Sequence, residues 1–413
     1  MDNKTSKILL FVFIGILVVG ATFSGGVWAG YAISKSSASV PAPAGANPTT
    51  SSTSTSSTAA LDQLFQPFWQ AWDDVHQYFY TQPVDDTKMM EGAIRGMMDS
   101  LGDPHTAYMD PMELQQINNQ LVGSYDGIGA WVDASGTYLT IISPMPGYPA
   151  EKAGLQAGDE IIAVDGTSMV GVDPNVVLTH VLGPAGSTVT LTIQRKGVTA
   201  PFDVTLIREQ ITLHSVDGKM LDNNIAYISI NIFGDTTTTE LKSTLTTLLA
   251  NKPVGLILDL RNNGGGLLQA GIEVSSQFLA QGTVVIEEQA NGARTSDSVI
   301  PGGLATTIPM VVLVNGGTAS ASEIVSGAIQ DYSRGLLVGV KTYGKGSVQD
   351  WINLANNQGA IRVTVEHWLT PNGRQINGLG LTPDIIIENT QADITAGKDP
   401  QLDRAIQAVL TGK

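Results

Sequence analysis

The chain has 413 residues and carries 22 Lys+Arg against 38 Asp+Glu, a formal net charge of −16. That length allows two or three domains with a sizeable core, and the acidity excludes a nucleic-acid partner, which needs clustered Lys and Arg. Cysteine is absent, which excludes disulfides and thiolate metal sites and accords with an oxidising compartment without requiring one. No cofactor and no metal site is expected.

In chain order, Lys4 and Lys7 precede an uncharged, mostly apolar run from Ile8 to Ile33. As a helix it would span roughly 39 Å, enough to cross a hydrocarbon core of about 30 Å with tilt. The flanking lysines place the N-terminus on the cytoplasmic side, so residues 1–33 read as a signal anchor that holds the body outside the membrane. A cleaved signal peptide is the competing reading, because Ile8–Val19 suits a short apolar core and Trp28-Ala29-Gly30-Tyr31-Ala32 offers small residues for cleavage. Residues 34–60 are Ser, Thr, Ala and Pro with few large apolar side chains. Such a segment cannot offset its ordering entropy and reads as a disordered tether.

Residues 61–122 are helical in pattern. Leu64, Phe65, Phe68, Trp69, Trp72, Val75 and Phe79 recur at helical spacing, then Met89, Ile94, Met97, Met98 and Leu101. Side chains so spaced are expected in a core. Gly102-Asp103-Pro104-His105 ends the second helix with breaker chemistry.

Residues 123–209 form a separate module, with short β patterns at Leu139–Ile142, Glu160–Val164 and Thr188–Gln194. From residue 210 onwards strands and helices alternate, which argues an α/β core. Ile225–Asn231 is a strand, Thr237–Leu249 a helix, Val254–Leu260 a buried strand and Leu267–Leu279 a helix. Between the last two lies Arg261-Asn262-Asn263-Gly264-Gly265-Gly266. Its glycines could expose N–H groups to a phosphate or an oxyanion, or simply make a tight turn. A dinucleotide site is disfavoured, because no Gly-x-Gly-x-x-Gly pattern is present.

The apolar run Met310–Val314 feeds Asn315-Gly316-Gly317, and a serine cluster then opens the amphipathic run Ile324–Tyr332. This places Ser320 at a helix N-terminus, where free N–H groups and the helix dipole favour developing negative charge. Ser320-x-x-Glu323 is equally a capping box. A second apolar run, Leu336–Val340, leads to the glycine-flanked Lys345. Lysine can serve as a base when burial lowers its pKa, so Ser320 and Lys345 are a candidate nucleophile and base, with Gln349 bonding the lysine amine. Gly339-x-x-x-x-Gly344-Lys345 has the outline of a P-loop, but Gly346 stands where Ser or Thr would bind magnesium. A Ser/His hydrolase would have to use His76, His105, His180, His214 or His367.

Two motifs together, Thr318-Ala319-Ser320-Ala321-Ser322-Glu323 and Gly344-Lys345-Gly346-Ser347-Val348-Gln349, resemble the signature of the C-terminal processing peptidases, or tail-specific proteases. The resemblance runs from about Leu61 to Asp384. It implies an α/β protease core of β-sheets with flanking helices, crotonase/ClpP-like, with an inserted PDZ domain and an N-terminal helical region. It further implies Ser320 as nucleophile, Lys345 as general base and Gln349 as the residue that orients the lysine. The oxyanion donors would be Gly266, or Gly265, and Ala321. Gly127-Ile128-Gly129-Ala130, joined to Ala153-Gly154-Leu155, Gly158-Asp159 and Val164-Asp165-Gly166, resembles a PDZ domain. There a peptide adds a strand to the sheet edge and the loop Gly127, Ile128, Gly129, Ala130 holds its terminal carboxylate. His105 lies in a segment the family carries without a catalytic role. The expected partners are protein or peptide substrates with free C-termini, and the membrane through the N-terminal helix. The sequence leaves open whether the chain pairs into a homodimer. A catalytically silent PDZ adaptor is the alternative to a membrane-tethered extracytoplasmic serine endopeptidase.

Overall fold

A computed structural model describes residues 58–412, so the apolar run and most of the tether segment lie outside the described residues. Among the described residues no helix is long and apolar enough to cross a membrane. The described chain divides into two units, residues 58–108 and 109–412.

The first unit holds helices α1 (Thr58–Tyr78) and α2 (Asp86–Asp99). Helix α1 begins inside the segment read as linker. Asp85 caps α2 by accepting from the Lys88 N–H at 3.0 Å. The expectation of an aromatic core fails here. Leu64 is 70% exposed and Trp69 57%, and Phe65, Phe68, Phe79, Met97 and Leu101 are also exposed. Two helices enclose too little volume to bury so many large side chains. The rings pack on each other instead, with Phe68 and Trp69 edge to face at 5.1 Å.

The second unit begins with α3 (Pro111–Val122). Asp110 and Glu113 close a capping box at its start, and Gly123 ends it in the left-handed region at φ 72°. The chain then leaves along β1 (Ser124–Gly127) and returns along β8 (Glu209–Thr212), which pair antiparallel. Everything between these strands builds a module with its own core. Its sheet runs β2-β3-β4-β6-β7 (Ala130–Asp133, Leu139–Pro144, Glu160–Val164, Thr188–Gln194, Phe202–Ile207), with β5 (Thr167–Ser168) paired to β4. Short α4 (Pro149–Lys152) and α5 (Pro174–Val181) complete it. Alternation decides what is buried: Val189, Leu191 and Ile193 of β6 meet Leu139, Ile141 and Ile161 in the centre.

The main sheet has the order β9-β10-β11-β14-β15-β18. Its strands are Val216–Leu221, Ile225–Ile230, Gly255–Asp259, Met310–Val314, Leu336–Gly339 and Ile385–Ile386. Only β9 runs antiparallel. All residues of β11 and β14 are buried, as expected for parallel strands covered on both faces. Leu256, Leu258, Val312 and Val314 face one layer with residues of α6 (Thr237–Leu249), α7 (Leu268–Phe278) and α8 (Ala321–Asp331). Ile257, Val311 and Leu313 face α9 (Pro400–Thr411), whose Ala405, Ala408 and Val409 pack on them. A second, antiparallel sheet contains β12 (Thr283–Gln289), β13 (Arg294–Ser298), β16 (Ser347–Asn353) and β17 (Ala360–Leu369). In it β12 pairs with β13 and β17, and β17 with β16. Because β11, β14 and β15 are parallel neighbours, the loops after them emerge at one end of the sheet, where open α/β sheets place ligands.

Candidate active site

Those three loops carry the residues singled out in the sequence. The first follows β11. Asn263 is 1% exposed and serves as its keystone. Its Nδ2 donates to the Ile230 carbonyl at 2.7 Å, and its Oδ1 accepts the Gly265 N–H at 2.8 Å. Its own carbonyl accepts the Ala319 N–H and the Ser322 hydroxyl, both at 3.0 Å. The glycine loop is thereby tied to the serine turn. Gly265 has φ 99°, and a Cβ there would stand 2.7 Å from Ser320 Cβ and 2.9 Å from Ala321 N, so only glycine permits this approach. Gly266 forms a bridge with Phe233, and a Cβ on it would meet the Phe233 oxygen at 2.1 Å. The Gly265 N–H is committed to Asn263, whereas among the described residues the N–H groups of Gly266 and Ala321 meet no acceptor.

The second loop turns from β14 into α8. Ser320 is the residue before the helix, with φ 55° and ψ −121°, a region that costs a non-glycine residue about 1–3 kcal/mol. Thr318 helps hold the turn, donating its hydroxyl to the Leu260 carbonyl at 2.8 Å and accepting the Asn315 N–H at 2.9 Å. Ser320 is 7% exposed at the N-terminus of α8, where the helix dipole is positive.

The third loop runs from β15 to β16. Lys345 is 1% exposed, among the largest fully buried side chains. Its carbonyl accepts the Trp368 indole N–H at 3.1 Å. Gly346 N donates to Asn377 Oδ1 at 3.1 Å, and Gly378 N to the Gly344 carbonyl at 2.8 Å. The turn-rich stretch Gly378–Thr382 thus supports the lysine loop: a Cβ on Gly344 would lie 2.6 Å from Gly380 N. Gln349 begins the regular part of β16 after a register shift and is 2% exposed. Its amide nitrogen donates to Ser347 Oγ at 2.7 Å and Thr364 Oγ1 at 3.2 Å.

Glu323 joins the second and third loops. It is fully buried, in the first turn of α8. Its Oε2 accepts the N–H of Ser320 at 3.0 Å and that of Lys345 at 2.9 Å. Its Oε1 accepts the Thr342 hydroxyl at 2.5 Å and the Gly344 N–H at 2.8 Å. Burial pushes this carboxyl above the usual carboxylate range, and the four donors work against that push. Sequence reasoning saw Glu323 only as a helix-capping residue. Asn263 and Thr342 were missed altogether, although an Asn before a glycine run is a recognisable turn signal. Of the histidines in the second unit, His180, His214 and His367 are exposed, and none bonds to the Ser320 turn.

In the inserted module the Gly127–Ala130 segment joins β1 to β2. Gly127 ends β1, Ile128 is buried in the module core, Gly129 has φ 70° and Ala130 opens β2. The Ile128 and Gly129 carbonyls accept from Ala150 and Met145 at 2.8 and 2.9 Å. Among the described residues the N–H groups of Ile128 and Gly129 meet no acceptor. Strand β2 is an edge of its sheet. Tyr125, beside this loop, has its phenol pushed up to about 12 by burial.

Comparison with known proteins gives the family of the chain. The model of peptidase family S41 matches residues 224–387, that of the PDZ domain residues 140–195, and that of the activating protease CtpB N-terminal domain residues 17–112. The carboxy-terminal-processing protease of Bartonella bacilliformis is 37% identical over 341 residues, covering 81% of this chain and 77% of its own. The chain belongs to peptidase family S41. Carboxy-terminal processing protease CtpA of Bacillus subtilis is 35% identical over 332 residues, 80% of this S41 chain and 71% of that one. A solved Bacteroides fragilis structure assigned to the S41 proteases covers 83% of this chain and 97% of that one, with a TM-score of 0.50 and 17% identity, a likeness of fold. This S41 member is therefore one of the C-terminal processing serine proteases that carry a PDZ domain.

Proposed function

We propose that this S41 peptidase is a membrane-tethered, extracytoplasmic serine endopeptidase that cleaves through Ser320 and Lys345. The observation that carries the reading is the pairing of a strained serine at a helix N-terminus with a fully buried lysine, their loops bonded to one Glu323 oxygen. In this mechanism Ser320 Oγ attacks the scissile carbonyl carbon while its proton passes to Lys345 Nζ. The carbonyl electron pair moves onto oxygen, which the Gly266 and Ala321 N–H groups stabilise. Gly265 serves by allowing the close approach of the two loops. Collapse of the intermediate breaks the C–N bond, and the leaving amine takes the proton from Lys345. Water then attacks the ester carbonyl and gives a proton to Lys345; collapse breaks the C–Oγ bond, Lys345 returns the proton to Ser320 Oγ, and the acid product leaves. Both Gln349 bonds above use its amide nitrogen, and the mechanism assigns its carbonyl oxygen the role of acceptor for the lysine amine.

The PDZ module captures the substrate's C-terminus on the Gly127, Ile128, Gly129, Ala130 loop and along β2. The Ile128 and Gly129 N–H groups and the unpaired edge strand support this role. The apolar run 8–33 provides the tether and puts the body outside the membrane.

A trapped acyl adduct tests the central step. Mass spectrometry of acid-quenched enzyme with a slowly hydrolysed ester substrate should place the acyl mass on the peptide containing Ser320. An adduct elsewhere, or an unchanged adduct in Ser320→Ala, would remove the mechanism. For the tether, alkaline washing should leave the full chain in membranes and release a chain beginning at residue 61.

A further inference from the structure

Four donors from two segments converge on the Glu323 carboxylate, and those segments are the two loops that bear the nucleophile and the base. Helix α8 supplies the carboxylate from its first turn. The serine turn supplies the Ser320 N–H, and the lysine loop supplies the Thr342 hydroxyl and the Gly344 and Lys345 N–H groups. The Thr342 hydroxyl is itself oriented, since its oxygen accepts the Leu381 N–H at 2.7 Å and its hydrogen is left for Glu323. Helix capping alone needs only the Ser320 bond. The other three reach 19, 21 and 22 positions along the chain.

We propose that Glu323 is a positioning residue, a carboxylate clamp that holds the Lys345 loop in register with the strained Ser320 turn. It acts through Ser320 and Lys345 and touches no substrate, and it rests on the Ser320/Lys345 reading above. Two loops that emerge from neighbouring strands have no covalent reason to keep a fixed separation. Backbone glycines on both sides of Lys345 add freedom. A single rigid acceptor with both oxygens occupied removes that freedom. The clamp also gives the Ser320 strain a counterweight: the N–H of the strained residue is bonded to a buried carboxyl oxygen. Proton transfer between the two side chains needs hydrogen-bond reach, and a misplacement of about 1 Å can cost 10²-fold in rate.

The test uses the full chain and an unfolded protein substrate with a free C-terminus, with Ser320→Ala run alongside. Glu323→Gln keeps the shape but turns one acceptor into a donor that faces N–H groups. It should lower kcat about hundredfold while KM and the affinity of the PDZ module for a C-terminal peptide stay within about threefold. Because that variant could also lose its fold, the Thr342 pair provides an independent readout. Thr342→Val keeps the volume and removes the hydroxyl, whereas Thr342→Ser keeps the hydroxyl and removes a methyl. A clamp makes the Ser variant faster than the Val variant by about tenfold in kcat. A packing role makes Val equal or faster, and that order would overturn the proposal. Full kcat in a folded Glu323→Gln protein would overturn it as well. Failure of the underlying mechanism shows separately, as undiminished cleavage by Ser320→Ala.

Discussion

At the residue scale the strain at Ser320 has a thermodynamic signature. Its φ of 55° and ψ of −121° suit glycine better than any L residue. Ser320→Gly should therefore raise stability by about 1 kcal/mol while abolishing cleavage. An unchanged or lower midpoint in denaturant would show that the turn is not strained. A second residue sets a pH dependence. Burial, and then the neighbouring carboxylates Asp297, Glu366 and Asp350, raise the Glu287 carboxyl from 4.5 to about 7. Between those values the folded chain binds a proton that the unfolded chain has lost, so this group's contribution falls as pH rises from about 4.5 to 7. Glu287→Gln should leave stability unchanged near pH 4 and raise it by about 1 kcal/mol at pH 8, a figure reduced for a side chain that water reaches. Equal gains at both pH values would place the cause in packing rather than charge.

Elements carry the loops, and much of this was legible. The apolar runs Met310–Val314 and Leu336–Val340 are strands, and the helix over Thr237–Leu249 stands where its spacing put it. The runs were readable because parallel strands buried on both faces leave continuous apolar signals. The exposed aromatics of α1 were misread because helical periodicity reports a shared face and says nothing about what covers it. Long-range polar ties left no periodic signal at all. Arg261 follows β11 and bonds to Asp259 at 2.6 Å and, 138 positions on, to Asp399 at 2.9 Å, while Tyr227 donates to Asp259 at 2.7 Å. Burial alone would lower the Arg261 pKa, but the two carboxylates raise it above its ordinary value. Arg261→Leu strands these acids and should cost about 3 kcal/mol in equilibrium unfolding. A loss below about 1 kcal/mol would mean that the network does not fasten α9 to the sheet. The β1–β8 ribbon has a smaller tie, the Thr212 N–H donated to the Tyr148 hydroxyl at 3.0 Å. Tyr148→Phe should cost about 1 kcal/mol, and no loss in the same assay would make that bond incidental.

For the molecule as a whole, the reading joins a PDZ module with an edge strand to an α/β body whose three parallel-strand loops meet at one end. The family resemblance was legible from two short motifs. The way the loops are locked together was not, because Glu323, Asn263 and Thr342 find their partners only after the strands have paired. The central claim is that one serine and one buried lysine perform the cleavage. It is tested most directly by incubating the full chain with an unfolded substrate bearing a free apolar C-terminus and following the products by mass spectrometry, with Ser320→Ala and Lys345→Ala in parallel and all three proteins checked for folding. The account predicts discrete products from the parent and none from either folded variant. Cleavage that survives in a folded Lys345→Ala protein would contradict it.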